Sequence, residues 1–207
     1  MRENLAAALR LLLVTDDALL AGRDPILLCR AAVQGGVTAV QLRLKQASDR
    51  AVLDLAAELI RELDVPIFIN DRLDIALAVG AAGVHLGPDD LSPALARRIV
   101  PADFVIGASV GGDGEFVRGA AADYWGIGPL HGTITKRDAG APLGLDGASG
   151  ILARAGGRPC VVIGGVVPGD VAAARAAGFA GVAVVRGILE SGDVEAAARR
   201  YTMPATR

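Results

Sequence analysis

The feature that most restricts this chain is an alternation. Short apolar runs recur with alanine-rich helical stretches between them, eight times from end to end. The runs are Leu11 to Thr15, Val37 to Leu44, Pro66 to Asn70, Gly83 to Leu86, Phe104 to Ser109, Tyr124 to Gly128, Cys160 to Gly164 and Gly181 to Val185. The helix patterns include Asp24 to Gln34, Ser48 to Leu63, Leu73 to Val79, Pro93 to Val100 and Pro168 to Ala177, with a shorter one at Gly114 to Ala121. Several open on Ser or Asp and close on Gly. Strand, helix, strand repeated in this way predicts parallel strands, and eight of them close most economically into an α/β fold of the (β/α)8 type, a TIM barrel. A doubly wound open sheet is the alternative.

Length and charge narrow the options. With 207 residues, 52% of them apolar, residues 1–207 are expected to form a single barrel domain around one core. Lys and Arg total 21 against 23 Asp and Glu, so the net charge of −2 makes no case for nucleic acid or an anionic membrane as partner. No apolar run reaches membrane-spanning length. Leu5 to Val14 imitates the core of a signal peptide, but Arg10 interrupts it and Thr15-Asp16-Asp17 follow in place of a cleavage site. Cys29 and Cys160 lie inside apolar runs without metal or redox spacing, which reads as buried thiols in a reduced, cytoplasmic protein. Whether it forms a homo-oligomer stays open.

Against that apolar background the polar residues of the strands stand out. In the stretch QLRLK, Gln41, Arg43 and Lys45 share one face and Leu42 and Leu44 the other. If the leucines face the helices, the cations point into the barrel, and buried charge survives there only near an open mouth or against an anion. The other reading is an exposed edge strand. The third run ends on Asn70-Asp71, and the fourth leads into Pro88-Asp89-Asp90. Carboxylates at the same end of adjacent strands can hold Mg2+ together with substrate phosphate oxygens, although Asp71 could equally cap a helix and Asp89 or Asp90 shape a turn. Ser109 ends the fifth run. Gly164-Gly165 and Val185-Arg186-Gly187 follow the seventh and eighth, where such barrels bind phosphate through backbone N–H groups. His85 is expected to point inward as a core histidine satisfied by its neighbours. The stretch from Pro129 to Gly147 has four glycines, two prolines and no helical period. It is expected to be a functional loop whose Thr133, Thr135 and Lys136 add hydroxyls and a cation.

These residues, in VQLRLK, INDRLDIALAVGAAGVHLGPDDL, IGAS, GIGPLHGTITKRD, VVIGGV and GVAVVRGIL, resemble the thiamine-phosphate synthase family, in its order, over residues 40 to 189. The resemblance implies a transferase that couples a hydroxymethylpyrimidine diphosphate to a thiazole phosphate and releases pyrophosphate with Mg2+. By position, the segment Gln41, Leu42, Arg43, Leu44 and Lys45, with Asn70, Ser109 and Lys136, would bind the pyrimidine diphosphate. Arg43, Lys45 and Lys136 would carry the catalysis. Asp71 and Asp90 would hold Mg2+, with Asp89 ranked behind them. Thr133, Ile134, Thr135, Gly165, Val185 and Arg186 would meet the thiazole substrate. The chemistry suits what is missing: there is no GxSxG elbow, no CxxC and only two histidines, so covalent or histidine-relay catalysis has little to work with. A thiazole nitrogen attacks with a lone pair and has no proton to lose, so the need is charge stabilisation on the departing pyrophosphate.

Three positions depart from the family pattern. Arg186 stands where serine is common, His131-Gly132 replaces an aromatic-proline pair, and Pro88 replaces a glutamine. Two rivals share the scaffold. A thiazole tautomerase is expected to have a histidine soon after the fifth strand, where this chain has Val110-Gly111-Gly112; His131 is the residue that could rescue it. The other is a non-catalytic barrel that binds a phosphate ligand.

Overall fold

The structure, a computed structural model, describes residues 4–135 and 140–202, with Asp113 described by its backbone alone. All eight runs are strands: β1 Leu11–Val14, β2 Ala39–Leu42, β3 Ile67–Asn70, β4 Gly83–Leu86, β5 Val105–Val110, β6 Tyr124–Ile127, β7 Cys160–Val162 and β8 Gly181–Val184. They pair in parallel, each with its neighbour in sequence, and β8 returns to β1 to close the barrel. The seam is in register at both edges of β1, since Leu12 lies opposite Ala39 of β2 and Ala183 of β8. The open-sheet alternative is thereby excluded, as is an edge strand at β2.

Helices fill the connections. They are α1 Leu5–Ala8, α2 Asp17–Leu20, α3 Pro25–Gln34, α4 Asp49–Glu62, α5 Leu73–Ala78, α6 Pro93–Ala96, α7 Asp113–Gly119, α8 Gly144–Leu152, α9 Asp170–Ala176, α10 Arg186–Leu189 and α11 Val194–Arg199. Their starts follow from local chemistry. Asp24 accepts from the N–H groups of Ile26 and Leu27 at 2.9 and 3.1 Å, with Pro25 supplying a first turn that needs no N–H. Ser48 caps α4 through the Ala51 N–H, and that helix buries Val52, Ala56 and Leu59 at helical spacing.

The period of two within each strand divides the apolar residues into two cores. Outward residues such as Leu11, Leu13, Val40, Leu42, Ile67, Ile69 and Ile106 pack under the helices. Inward residues, among them Leu12, Val14, Ala39, Phe68, Val105, Tyr124, Val161 and Ala183, fill the barrel together with Leu5 and Leu9, which come from α1 and the turn after it. The first helix is thus a stopper at the N-terminal end, and the Leu5 to Val14 stretch is accounted for as plug plus strand. Each such buried Leu or Val contributes about 1.5 to 3 kcal/mol relative to exposure. Gly107 makes room for the largest interior ring: a Cβ there would lie 2.2 Å from the Tyr124 ring. Filling the barrel at this end leaves space only at the other, where the strands end.

Three expectations need correcting. The second strand spans Ala39–Leu42 and not Val37 to Leu44. Thr38 replaces a ladder bond on one side, its hydroxyl accepting from Leu11 N at 2.9 Å, and Arg43 is held on the other side as described below. The irregular loop from Pro129 gives way to α8 at Gly144, before Gly147. The sixth helix stops at Ala96 and continues only as turns. Both cysteines are free and buried; burial pushes Cys29 up to about 12 and Cys160 to about 11. Among the described residues no helix is long and apolar enough to cross a membrane.

Candidate active site

A cavity of about 770 Å3 opens at the C-terminal ends of the strands. The QLRLK segment forms one wall of it. Gln41, still within β2, is 4% exposed, and its Nε2 donates to Asn70 Oδ1 at 2.7 Å across the β2–β3 step. Arg43 and Lys45 lie beyond the last ladder pair, so their backbone needs other partners. The tripeptide after β1 supplies them. The fully buried Thr15 hydroxyl accepts from Arg43 N at 2.8 Å and donates to Arg43 O at 3.1 Å, imitating a further rung of sheet. Asp17 accepts from the backbone N–H groups of Lys45 and Gln46 at 2.7 and 3.1 Å. Asp16 caps α2 through Ala18 N and receives the Arg43 guanidinium at 3.2 Å. Leu42 and Leu44 turn to the helix-facing core, so neither side chain lines the cavity.

The adjoining wall, after β3 and β4, is acidic. Asp71 is the only described non-glycine residue with positive φ, 64°, a conformation that asparagine and aspartate tolerate best but that still costs energy. It is held there by its N–H donating to His85 O at 2.8 Å. The capping alternative fails, because α5 takes Arg72 as its N-cap with no side-chain bond. Instead the Asp71 carboxylate accepts from Lys45 Nζ. Asp90 partly bears out the turn reading, since its Oδ2 accepts from Gly87 N at 2.7 Å. Burial, and after it the neighbouring Asp71 carboxyl, raises Asp90 above the ordinary carboxylate range. Asp89 is exposed at the rim.

A carboxyl raised by burial and by a second carboxyl beside it marks a place where a cation is favoured. Among the described residues no group of three or more His, Cys, Asp or Glu surrounds a metal position. The pair therefore fits a hard ion that takes most of its oxygens from ligand and water, as Mg2+ does, and does not fit a cation caged by protein.

The remaining lining comes from the last loops. Gly164 and Gly165 have φ of 92° and 67°, and a Cβ on Gly165 would lie 2.8 Å from both Gly132 O and His131 Cβ, so only glycine fits. Thr133, Ile134, Thr135, Val185 and Arg186 also line the cavity. Arg186 pairs with Glu190 one turn along α10. Lys136 lies outside the described residues. His131 does not line the cavity; its Nε2 meets Asp170 Oδ2 at 3.0 Å, tying the loop to α9. The floor is polar at one point: Ser109 Oγ is 3.0 Å from His85 Nε2, and His85 Nδ1 is 2.9 Å from the Tyr124 hydroxyl. His85 is inward and satisfied, as the sequence suggests.

Sequence reasoning passed over Thr15, Asp16, Asp17 and Tyr124. The signal for the first three was available, since Thr-Asp-Asp follows β1 at the same barrel end as QLRLK. Nothing in the sequence marks the Tyr124 hydroxyl.

Comparison with known proteins identifies the family. A family model described as thiamine monophosphate synthase matches residues 11–188. The thiamine-phosphate synthase of Chloroflexus aurantiacus is 43% identical over 196 residues, covering 92% of this chain and 90% of that protein. That of Methanoculleus marisnigri is 46% identical over 195 residues, covering 91% and 92%. Among solved structures, a thiamine phosphate pyrophosphorylase from Pyrococcus furiosus superposes with a TM-score of 0.84 at 34% identity, over 96% of each chain.

Proposed function

The chain belongs to the thiamine monophosphate synthase family, and from that premise we propose that it is a transferase of thiamine biosynthesis. It couples 4-amino-2-methyl-5-(diphosphooxymethyl)pyrimidine with a thiazole phosphate to give thiamine monophosphate and pyrophosphate. The observation that carries this reading is the pairing of a cationic wall, Arg43 and Lys45, with the adjoining carboxyls Asp71 and Asp90 at one mouth. A diphosphate with a divalent cation can satisfy both walls at once. The cavity volume of about 770 Å3 is also in the range that holds ligands of this size.

In this reading the Gln41–Asn70 amide pair and Ser109 orient the pyrimidine ring. Arg43, Lys45 and Lys136 take up the charge of the departing pyrophosphate as the bond from methylene carbon to diphosphate oxygen breaks. The thiazole nitrogen forms the new C–N bond with its lone pair, and no general base is required. The reaction is dissociative, because the aminopyrimidine supports the methylene cation while the cations hold the leaving group. Gly165 and the Val185–Arg186 backbone hold the thiazole phosphate, with Thr133, Ile134 and Thr135 beside the ring. Asp71 and Asp90 would hold Mg2+, which supplies further neutralisation of the pyrophosphate when bound. The reading includes a cytoplasmic location, supported by two buried, unpaired thiols.

The test is pyrophosphate release from purified protein given both substrates, with and without Mg2+, repeated with Asp71→Ala. Mg2+-dependent release that falls at least about a hundredfold in the variant is expected, the scale of removing one charge-stabilising group. Tight ligand binding without turnover would favour the non-catalytic barrel, and undiminished activity in Asp71→Ala would refute the metal assignment.

A further inference from the structure

The polar chain in the barrel floor has a direction. Tyr124 is fully buried among interior apolar residues, with the Phe68 ring centroid 5.7 Å away. Among the described residues, the hydrogen-bond partner of its hydroxyl is His85 Nδ1, at 2.9 Å. Burial holds the phenol well above its usual value, so it keeps its proton. That proton needs an acceptor. If Nδ1 carried a hydrogen, the phenol could only accept, and its own O–H would be left buried and unpaired, the costly half of a broken hydrogen bond. The phenol therefore donates, and Nδ1 accepts. In a neutral imidazole the hydrogen is then on Nε2, which donates to Ser109 Oγ at 3.0 Å. With its oxygen occupied as acceptor from below, Ser109 has its own O–H left to give, and it lines the cavity.

We propose that Tyr124 and His85 are positioning residues that make Ser109 a hydrogen-bond donor to the ligand, so that the cavity floor selects a ring bearing an acceptor, such as an unprotonated ring nitrogen. The inference rests on the reading above, in which Ser109 meets the pyrimidine. It implies that a pyrimidine analogue with C–H in place of that nitrogen binds worse, because the Ser109 O–H then has no partner.

The composition permits a direct test, because the chain has only two histidines, His85 and His131. In protein labelled with 15N-histidine and carrying His131→Gln, the remaining imidazole is expected to show an unprotonated Nδ1 and a protonated Nε2. Tyr124→Phe, which keeps the ring and its packing, is expected to lose that single tautomer. It is also expected to raise the KM for the pyrimidine diphosphate about five- to tenfold, the scale of one neutral hydrogen bond, with kcat and the thiazole phosphate KM moving less than about twofold. In a Ser109→Ala background the same change is expected to have no further effect on that KM. A protonated Nδ1 in otherwise wild-type protein would overturn the assignment. A Tyr124→Phe effect that persists without the serine hydroxyl, or that moves both KM values together, would overturn the route through Ser109. The imidazole spectrum requires no turnover, so an inactive wild type with the expected tautomer would count against the functional reading alone.

Discussion

Replacing Thr15 with valine tests how the cationic wall is built. The change keeps the β-branched shape and exchanges the hydroxyl for a methyl, so the packing of a fully buried side chain is preserved. What disappears is the pair of bonds at 2.8 and 3.1 Å that hold the Arg43 N–H and C=O past the end of β2. Each net bond is worth about 1 kcal/mol, and a backbone group left without a partner costs about 1 to 3 kcal/mol when water cannot reach it. Arg43 is only partly buried, its side chain 17% exposed, so water compensates in part and a total of about 2 kcal/mol is expected. Thr15→Ser is the control, retaining both bonds and losing one buried methyl, for about 1 kcal/mol. Urea unfolding of the three proteins gives the stability order wild type, Ser, Val. Steady-state kinetics should show the Val variant losing affinity for the pyrimidine diphosphate by severalfold, with thiazole phosphate little affected, since Arg43 and Lys45 lie on the first ligand's wall. A Val variant as stable as the Ser variant, with an unchanged KM, would refute the view that Thr15 extends the sheet to hold Arg43.

Three further outcomes follow from the mouth. Asp90 is raised by burial and by Asp71, so the folded state keeps a proton that the unfolded chain has already released, and folding weakens as pH rises through the interval between the ordinary and the raised value. Asp90→Asn removes that penalty: it should melt above wild type at neutral pH and lose the advantage in acid, whereas a gain independent of pH in thermal melts would contradict the cause given. Asp71→Gly should abolish coupling yet raise stability by about 0.5 to 1 kcal/mol in urea unfolding, because glycine adopts φ near 64° without strain; a marked loss of stability would mean that the Lys45 pair outweighs the backbone. Arg186→Ser should raise the thiazole phosphate KM while leaving the pyrimidine diphosphate KM unchanged, and equal kinetics would show that the guanidinium is committed to Glu190 alone.

The barrel was readable because its signal is repeated eight times: where the strands run is written in apolar runs, and Gly or Pro closes most of the gaps. The alternation of Gln41, Arg43 and Lys45 against Leu42 and Leu44 likewise told which residues share a face, because a period of two admits only that division, but closure of the barrel and burial of the leucines under the helices decide which face is inside. The limits of β2 were not readable. Thr38 and Thr15 stand in for ladder bonds with side-chain hydroxyls, and a threonine in an apolar run looks the same whether it lies in a strand or ends one. Partnerships were also hidden. That Asp16 faces Arg43 while Asp17 caps the Lys45 backbone depends on which strands become neighbours, and Tyr124 looked like core because all but one of its atoms are core.

The seam between β1 and β8 has a consequence for the chain as it is made. Gln41, Arg43 and Lys45 are synthesised early and Gly165, Val185 and Arg186 late, yet they face one cavity, and the sheet joins its two ends only when Gly181–Val184 settles beside Leu11–Val14. Until then β1 and β7 each present an unpaired edge, an invitation to pair with another chain, and the pairing that removes it is the most distant in sequence and so the slowest to find. A product that stops before residue 181 is therefore not a weaker version of the whole. It lacks both the last wall of its pocket and the strand that keeps its edges from sticking.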